Sequence, residues 1–222
     1  MLTICWSPKG GSGVSVVAAA LALDRAGAGE ETLLVDLDGD QPGILGLGRS
    51  GAGVADWLAS VEVPVDALAA LEQPVGERLR VLERGRADLT APDPDRLDLL
   101  AGVLASSSRT VVVDAGGTAA RAWWRTVEAR VVVVLRPCYL ATRRLLAGGG
   151  LPPGAVLVVI EEGGRVLRAG DVASAVDTGR VLRLPWDPAV ARAVDAGLLA
   201  ARMPRSMRRV GERLGSAAPG SR

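Results

Sequence analysis

The chain has 222 residues, 26 basic and 25 acidic side chains, and no histidine. That length can bury one sizeable core, and with about half of the residues hydrophobic (49%) the composition excludes disorder. The formal charge of +1 supplies no global field toward nucleic acid or membrane, and the missing histidine excludes Ser-His-Asp and Cys-His nucleophiles as well as histidine-based zinc sites.

No apolar run reaches the roughly 18 residues of a membrane-spanning helix, and the N-terminus shows no basic-then-apolar leader with a cleavage signature. A cytoplasmic protein is expected, reaching a membrane or cell pole only through partners. Cys5 and Cys138 both lie in apolar surroundings and read as two buried small side chains, with no disulfide framework and no metal-ligand spacing.

In chain order, Leu2–Trp6 is a short apolar run ending at Ser7-Pro8 and reads as a buried strand. A glycine-rich turn leads into a helix over Gly13–Arg25. Thr32–Leu37 is a second buried strand, ending in the acidic loop Asp36-Leu-Asp-Gly-Asp40. Ile44–Ala70 reads as short helices broken by glycines and Pro64. Leu79–Leu82 reads as a strand and Pro94–Ala105 as a helix. Thr110–Val113 is a β-branched strand running into Asp114-Ala-Gly-Gly117, and Ala119–Thr126 is a helix with Trp123 and Trp124 on the sheet. Val131–Leu135 is a strand, Leu140–Leu146 a helix and Val156–Ile160 a strand. Gly148–Gly154 joins that helix to that strand. Gly170–Val176, Val181–Leu184 and Ala189–Ala196 follow as helix, strand and helix. Ser206–Leu214 reads as one basic helix.

Continuous apolar strands alternating with helices predict an α/β fold with a mainly parallel sheet covered by helices on both faces. Residues 1–215 read as a single domain and 216–222 as a flexible tail.

The strongest chemical signal is Pro8-Lys-Gly-Gly-Ser-Gly-Val-Ser15 between the first strand and helix. Glycines let backbone N–H groups close around phosphate oxygens, and a helix N-terminus favours negative charge. The usual phosphate loop reads Gly-x-x-x-x-Gly-Lys-Ser/Thr. Here Ser15 holds the magnesium-binding hydroxyl position, Val14 stands where the lysine belongs, and Lys9 opens the loop. Lys9 is also the only lysine in the chain. In a sequence whose other basic residues are all arginine, this position calls for a compact point charge on a flexible stem rather than a planar fork.

The arrangement resembles the deviant Walker A of the ParA/MinD superfamily of P-loop NTPases, Lys-Gly-Gly-x-Gly-Lys-Ser/Thr. Lys9, Gly10, Gly11, Gly13 and Ser15 match it and Val14 does not. Leu33-Leu-Val-Asp-Leu-Asp38 resembles the family's second motif, and Val111-Val-Val-Asp-Ala-Gly116 its Walker B strand. Leu135-Arg-Pro-Cys-Tyr-Leu140 resembles the next strand and its loop near the nucleotide. Leu184-Pro-Trp-Asp-Pro-Ala-Val-Ala-Arg-Ala-Val-Asp-Ala-Gly197 resembles the segment that contacts the base. The likeness runs over roughly residues 1–200, and within the superfamily it looks most like the CpaE/TadZ-like pilus-assembly branch.

The resemblance implies ATP and Mg²⁺ as ligands. Nucleotide would lie on Lys9, Gly10, Gly11, Ser12, Gly13, Val14, Ser15 and Val16, with the base near Pro185, Asp187 and Pro188. Ser15 would ligate the metal, Asp114 would act through water, and Asp36 would lie nearby. Asp38 would position the attacking water. Lys9 would reach across a homodimer to the partner's phosphates.

Losing the charge-assisted contact at Val14 costs roughly 1.5–3 kcal/mol in binding, so slow or absent hydrolysis is expected. Relatives often read adenine with an asparagine after the strand corresponding to Val156–Ile160; this chain has none. Base recognition is then expected from backbone groups near Pro185–Pro188.

The resemblance implies a protein partner in positioning, pilus or secretion machinery. Arg205, Arg208, Arg209 and Arg213 are candidates for non-specific DNA contact, against the plainer reading of a solvated helix packed on the domain. Three functions stay open: a nucleotide-dependent switch that organises a partner, an active ATPase in which Lys9 compensates for Val14, and a nucleotide-free scaffold.

Overall fold

The computed structural model describes residues 1–48, 51–60, 62–117 and 128–216. The helix expected at Ala119–Thr126, with Trp123 and Trp124, lies outside them, as does the tail beyond Ser216.

An eight-stranded sheet organises the chain. Its strands are β1 Leu2–Trp6, β2 Thr32–Asp36, β3 Glu72–Pro74, β4 Leu79–Leu82, β5 Thr110–Asp114, β6 Arg130–Leu135, β7 Val156–Glu161 and β8 Val181–Pro185. They run in the order β3-β4-β2-β5-β1-β6-β7-β8. Every pairing is parallel except β3 with β4. The edge strand β3 escapes sequence reading because Glu72-Gln-Pro74 has no apolar alternation.

Successive strand residues face opposite layers. Leu33 and Val35 of β2, Val111 and Val113 of β5, and Val131, Val133 and Leu135 of β6 join one apolar cluster. Leu34, Val112, Val132 and Val134 join the other. The first cluster is covered by α3 (Val54–Ala59), α4 (Ala67–Ala70), α5 (Pro94–Ala105), α6 (Tyr139–Ala147) and α7 (Ala169–Ala175). The second is covered by α1 (Val14–Gly27), α2 (Gln41–Leu45), α8 (Pro188–Asp195) and α9 (Val210–Ser216). Each fully buried leucine or valine contributes about 1.5–3 kcal/mol relative to exposure. Both layers are therefore needed, and β-branched runs that are apolar on both faces satisfy both.

The expected basic helix over Ser206–Leu214 is instead a 3-10 turn, Arg205–Met207, followed by α9. Asp24 of α1 causes the break. Its carboxylate accepts the backbone N–H of Arg209 and of Gly211, each at 2.9 Å, and Arg209 turns left-handed at φ 56°. Val210 and Leu214 are then buried in the second cluster.

In the other layer, buried Arg96 ties α5 to the α3–α4 connection. Its guanidinium donates to the carbonyls of Trp57 (2.8 Å) and Val63 (3.3 Å) and lies 3.6 Å over the Trp57 ring. Arg96→Ala leaves two carbonyls without their donor and removes the cation–π contact, so it is expected to cost about 3 kcal/mol. Urea unfolding measures this directly. Arg96→Lys, which lacks the fork, is expected to recover less than half of the loss.

Candidate nucleotide site

Parallel strands put all their C-terminal ends on one edge, and the polar groups gather there. Register pairs Asp36 of β2 with Asp114 of β5, and Asp114 with Cys5 of β1. The phosphate-type loop leaves β1 beside them. Ser7 Oγ donates to the Lys9 carbonyl at 2.9 Å and Ser12 Oγ to the same carbonyl at 2.7 Å. Gly11 and Gly13 take φ of +73° and +91°, which residues bearing a Cβ avoid. Val14 and Ser15 open α1 and are both buried.

A cleft of about 640 Å³ is lined by the loop from Lys9 to Val16, with Asp38, Gly116, Arg136 and Asp195. A smaller, apolar cleft of about 230 Å³ adjoins it, lined by Ile160, Pro185, Trp186, Asp187 and Val190. Ser12, Gly13, Val16, Arg136, Val194 and Asp195 border both. The predicted loop residues and Asp38 thus share one cleft, and Pro185 and Asp187 line the other. Pro188 opens α8 outside both linings. Asp187 caps that helix through the Ala189 N–H (2.8 Å) and accepts the Ser206 hydroxyl (2.6 Å).

The buried centre of the site is a residue that sequence reading did not single out. Gln41, the first residue of α2, is fully buried. Its Nε2 donates to Asp114 Oδ2 at 2.7 Å and to the Ser15 carbonyl at 3.0 Å. Its backbone N–H donates to Asp36 Oδ2 at 3.0 Å. The Oε1 atom of Gln41 is buried with no hydrogen-bond partner among the described residues. The available signal was its place directly after the acidic loop, as one of two glutamines in the chain.

Asp36 Oδ1 accepts the N–H groups of Asp38 (3.0 Å) and Gly39 (2.7 Å), so Asp36 shapes the loop that carries Asp38. Gly116, at φ +55°, is the second missed residue. A Cβ there would lie 2.2 Å from Asp38 Oδ1.

Burial pushes the Asp114 carboxyl up to about 7 against the Gln41 hydrogen bond, with the Asp36 charge adding to the rise. Burial likewise pushes Asp36 up to about 6 against its three backbone donors. Asp38 is raised by burial and by neighbouring Asp40, with Arg84 opposing.

These residues fit a magnesium nucleotide. Left-handed glycines open the loop's backbone toward the cleft, Ser15 presents its hydroxyl beside Asp114, and two buried carboxyls and the unpartnered Gln41 Oε1 lie close by without a cation. No cluster of three acidic or thiol side chains forms a metal cage among the described residues. Magnesium bound with nucleotide typically takes one or two protein ligands and the phosphates.

Cys138 departs from the buried reading. It is half-buried at the start of α6, where the Ala141 and Leu140 N–H groups and nearby Lys9 draw its thiol below the ordinary value. Arg213 donates to the Arg183 carbonyl at 2.7 Å, whereas Arg205, Arg208 and Arg209 are exposed. Among the described residues no helix is long and apolar enough to cross a membrane.

No protein-family model and no curated protein matches the chain. Solved structures do. The septum site-determining protein MinD of Pyrococcus horikoshii, complexed with Mg-ADP, is 19% identical over 96% of this chain and 93% of that one, with a TM-score of 0.74. A ParA family ATPase from Chlorobium tepidum is 19% identical over 97% and 98%, at 0.72. The MinC:MinD cell division complex of Aquifex aeolicus is matched at 16% identity over 100% and 99%, at 0.77. The chain has the ParA/MinD fold. The fold class expected from the motifs is borne out, and within the ParA/MinD fold Val14 sits at the first turn of the helix that leaves the phosphate loop.

Unfolded aspartate titrates near ~3.9. Asp36 and Asp114 are both raised above this, so the folded state holds protons that the unfolded state releases. The resulting stability is complete below about pH 4 and lost as pH rises through about 6 to 7. Asp114→Asn keeps an acceptor for Gln41 without the charge. It is expected to raise the melting temperature of the ligand-free protein at about pH 8 and to flatten its pH dependence between about 4 and 7. A variant that melts lower at that pH with an unchanged slope would contradict the assignment.

Proposed function

We propose that this protein is a nucleotide-dependent dimeric switch that positions a partner, and that it hydrolyses ATP slowly or not at all. The observation that carries the reading is a cleft with a phosphate loop, a buried Ser15–Asp114–Gln41 centre and no lysine at Val14. Magnesium supplies charge neutralisation of the phosphates when bound. Ser15 would ligate it and Asp114 would act through water. Asp36 serves indirectly, by fixing the loop that presents Asp38 to the attacking water. The apolar cleft beside Trp186 and Val190 receives the base.

Val14 offers neither charge nor a side-chain donor where phosphoryl transfer needs both, so binding outlasts catalysis. Lys9 is half-buried at the cleft, and its Nζ reaches only the adjoining Gly10 carbonyl at 3.4 Å. It is free to serve a partner protomer, which makes nucleotide binding and dimerisation one event. The MinC:MinD neighbour supports a protein partner, and the pilus-assembly likeness points to secretion or pilus machinery.

Calorimetric titration with Mg-ATP, with light scattering to follow mass, tests the switch. Saturable binding with a doubling of mass is expected, along with stabilisation of about 2.7 kcal/mol at a hundredfold excess over Kd. Lys9→Ala is expected to abolish the doubling, and Val14→Lys to raise turnover by about tenfold or more. No binding at millimolar ATP would leave a protein-binding scaffold. Fast turnover abolished by Asp38→Ala would instead indicate an active ATPase.

A further inference from the structure

We propose that Arg136 supplies, from the end of β6, the positive charge toward the nucleotide phosphates that Val14 withholds. The inference rests on the nucleotide reading above and assigns a residue to it.

The sheet puts Arg136 in position. β1 and β6 are parallel neighbours, with Trp6 opposite Val133, so the segments that follow them emerge side by side on the same edge. One becomes the phosphate loop and the other is Arg136-Pro137. Arg136 borders both the phosphate cleft and the apolar cleft, together with Ser12, Gly13 and Val16. It therefore faces the phosphate chain from the side on which the base lies, not from the tip where a loop lysine would stand.

Its guanidinium is also uncommitted. The Nε–H is buried and has no hydrogen-bond partner among the described residues. The acid that feels its charge, Glu162, is already held by Arg165 at 2.6 and 2.8 Å. A buried guanidinium N–H without an acceptor is costly and favours an anion. The other charged side chains bordering this cleft carry the opposite sign (Asp38, Asp40 and Asp195), Lys9 excepted. Lys9 stands at the start of the loop and answers to the partner protomer. Within one protomer, Arg136 is then the cation left for the phosphates among the described residues. A planar fork suits two phosphate oxygens at once.

The test uses the full-length protein, titrated with Mg-ATP and Mg-ADP over a range of ionic strength. Arg136→Gln is expected to weaken both nucleotides by at least about tenfold, to make the fall of affinity with salt shallower, and to keep or raise the ligand-free melting temperature. Arg136→Lys, which keeps the charge, is expected to keep the salt slope and lose only a few-fold in affinity; it carries the test if the glutamine variant does not fold. ATP affinity of Arg136→Gln within about twofold of wild type, or weakened with an unaltered salt slope, would overturn the role while leaving the nucleotide reading intact. Failure of the wild-type protein to bind ATP would overturn both.

Discussion

The site depends on one neutral amide. Gln41 gathers three chain segments that the sequence keeps apart: the start of α1 through the Ser15 carbonyl, the end of β5 through Asp114, and the end of β2 through Asp36. A carboxamide can donate to a carboxylate without adding charge, so it orients Asp114 and still leaves room for a cation. With a charged residue at this point, the two carboxyls would be neutralised from within. With an apolar one, Asp36 would keep the backbone N–H of this position but Asp114 would lose its side-chain donor.

That arrangement changes what the missing lysine means. A cleft with Asp36 and Asp114 fully ionised would repel a polyphosphate strongly. Burial raises both carboxyls, Asp114 furthest, to about 7, so Asp114 is partly neutral near physiological pH and the repulsion is softened. The phosphate loop keeps its left-handed glycines and its Ser15, the parts that act through the backbone and the metal. Only the side chain that acts through its own charge is replaced. On the proposed reading, the site would grip phosphate in the ground state and lack the charge most useful during transfer.

Much of this was legible in the sequence. Runs such as Thr110–Asp114 are apolar on both faces, and only a sheet covered by two layers uses them. The glycine-rich loop between β1 and α1 fixed where the ligand edge would be. Other features were not legible, for physical reasons. Glu72–Pro74 is three residues long and is held by ladder bonds to β4 and by polar pairs such as Glu72 with Arg80 and Arg109, so it carries no apolar pattern. Gln41 and Gly116 matter because of what lies against them across the fold, and spacing along the chain does not encode that. The single helix expected at Ser206–Leu214 was reasonable from composition, but a carboxylate on α1, nearly two hundred residues earlier, interrupts it. Arg136 stood in a recognised loop, yet its importance appears only when its neighbours are seen to leave it unpaired.

The Asp24 clasp has a practical side. Because α9 closes over α1, the helix that begins at the phosphate loop, the C-terminal segment belongs to the core that supports the site. Trimming the chain before Val210 would remove Val210 and Leu214 from the apolar cluster they share with α1 and take the Gly211 donor from the Asp24 carboxylate. A proteolytic nick after the left-handed Arg209 would free α9 at the same point while leaving every cleft-lining residue in place. Any shortened form of this protein therefore has to keep α9, which packs on the helix that begins at the cleft.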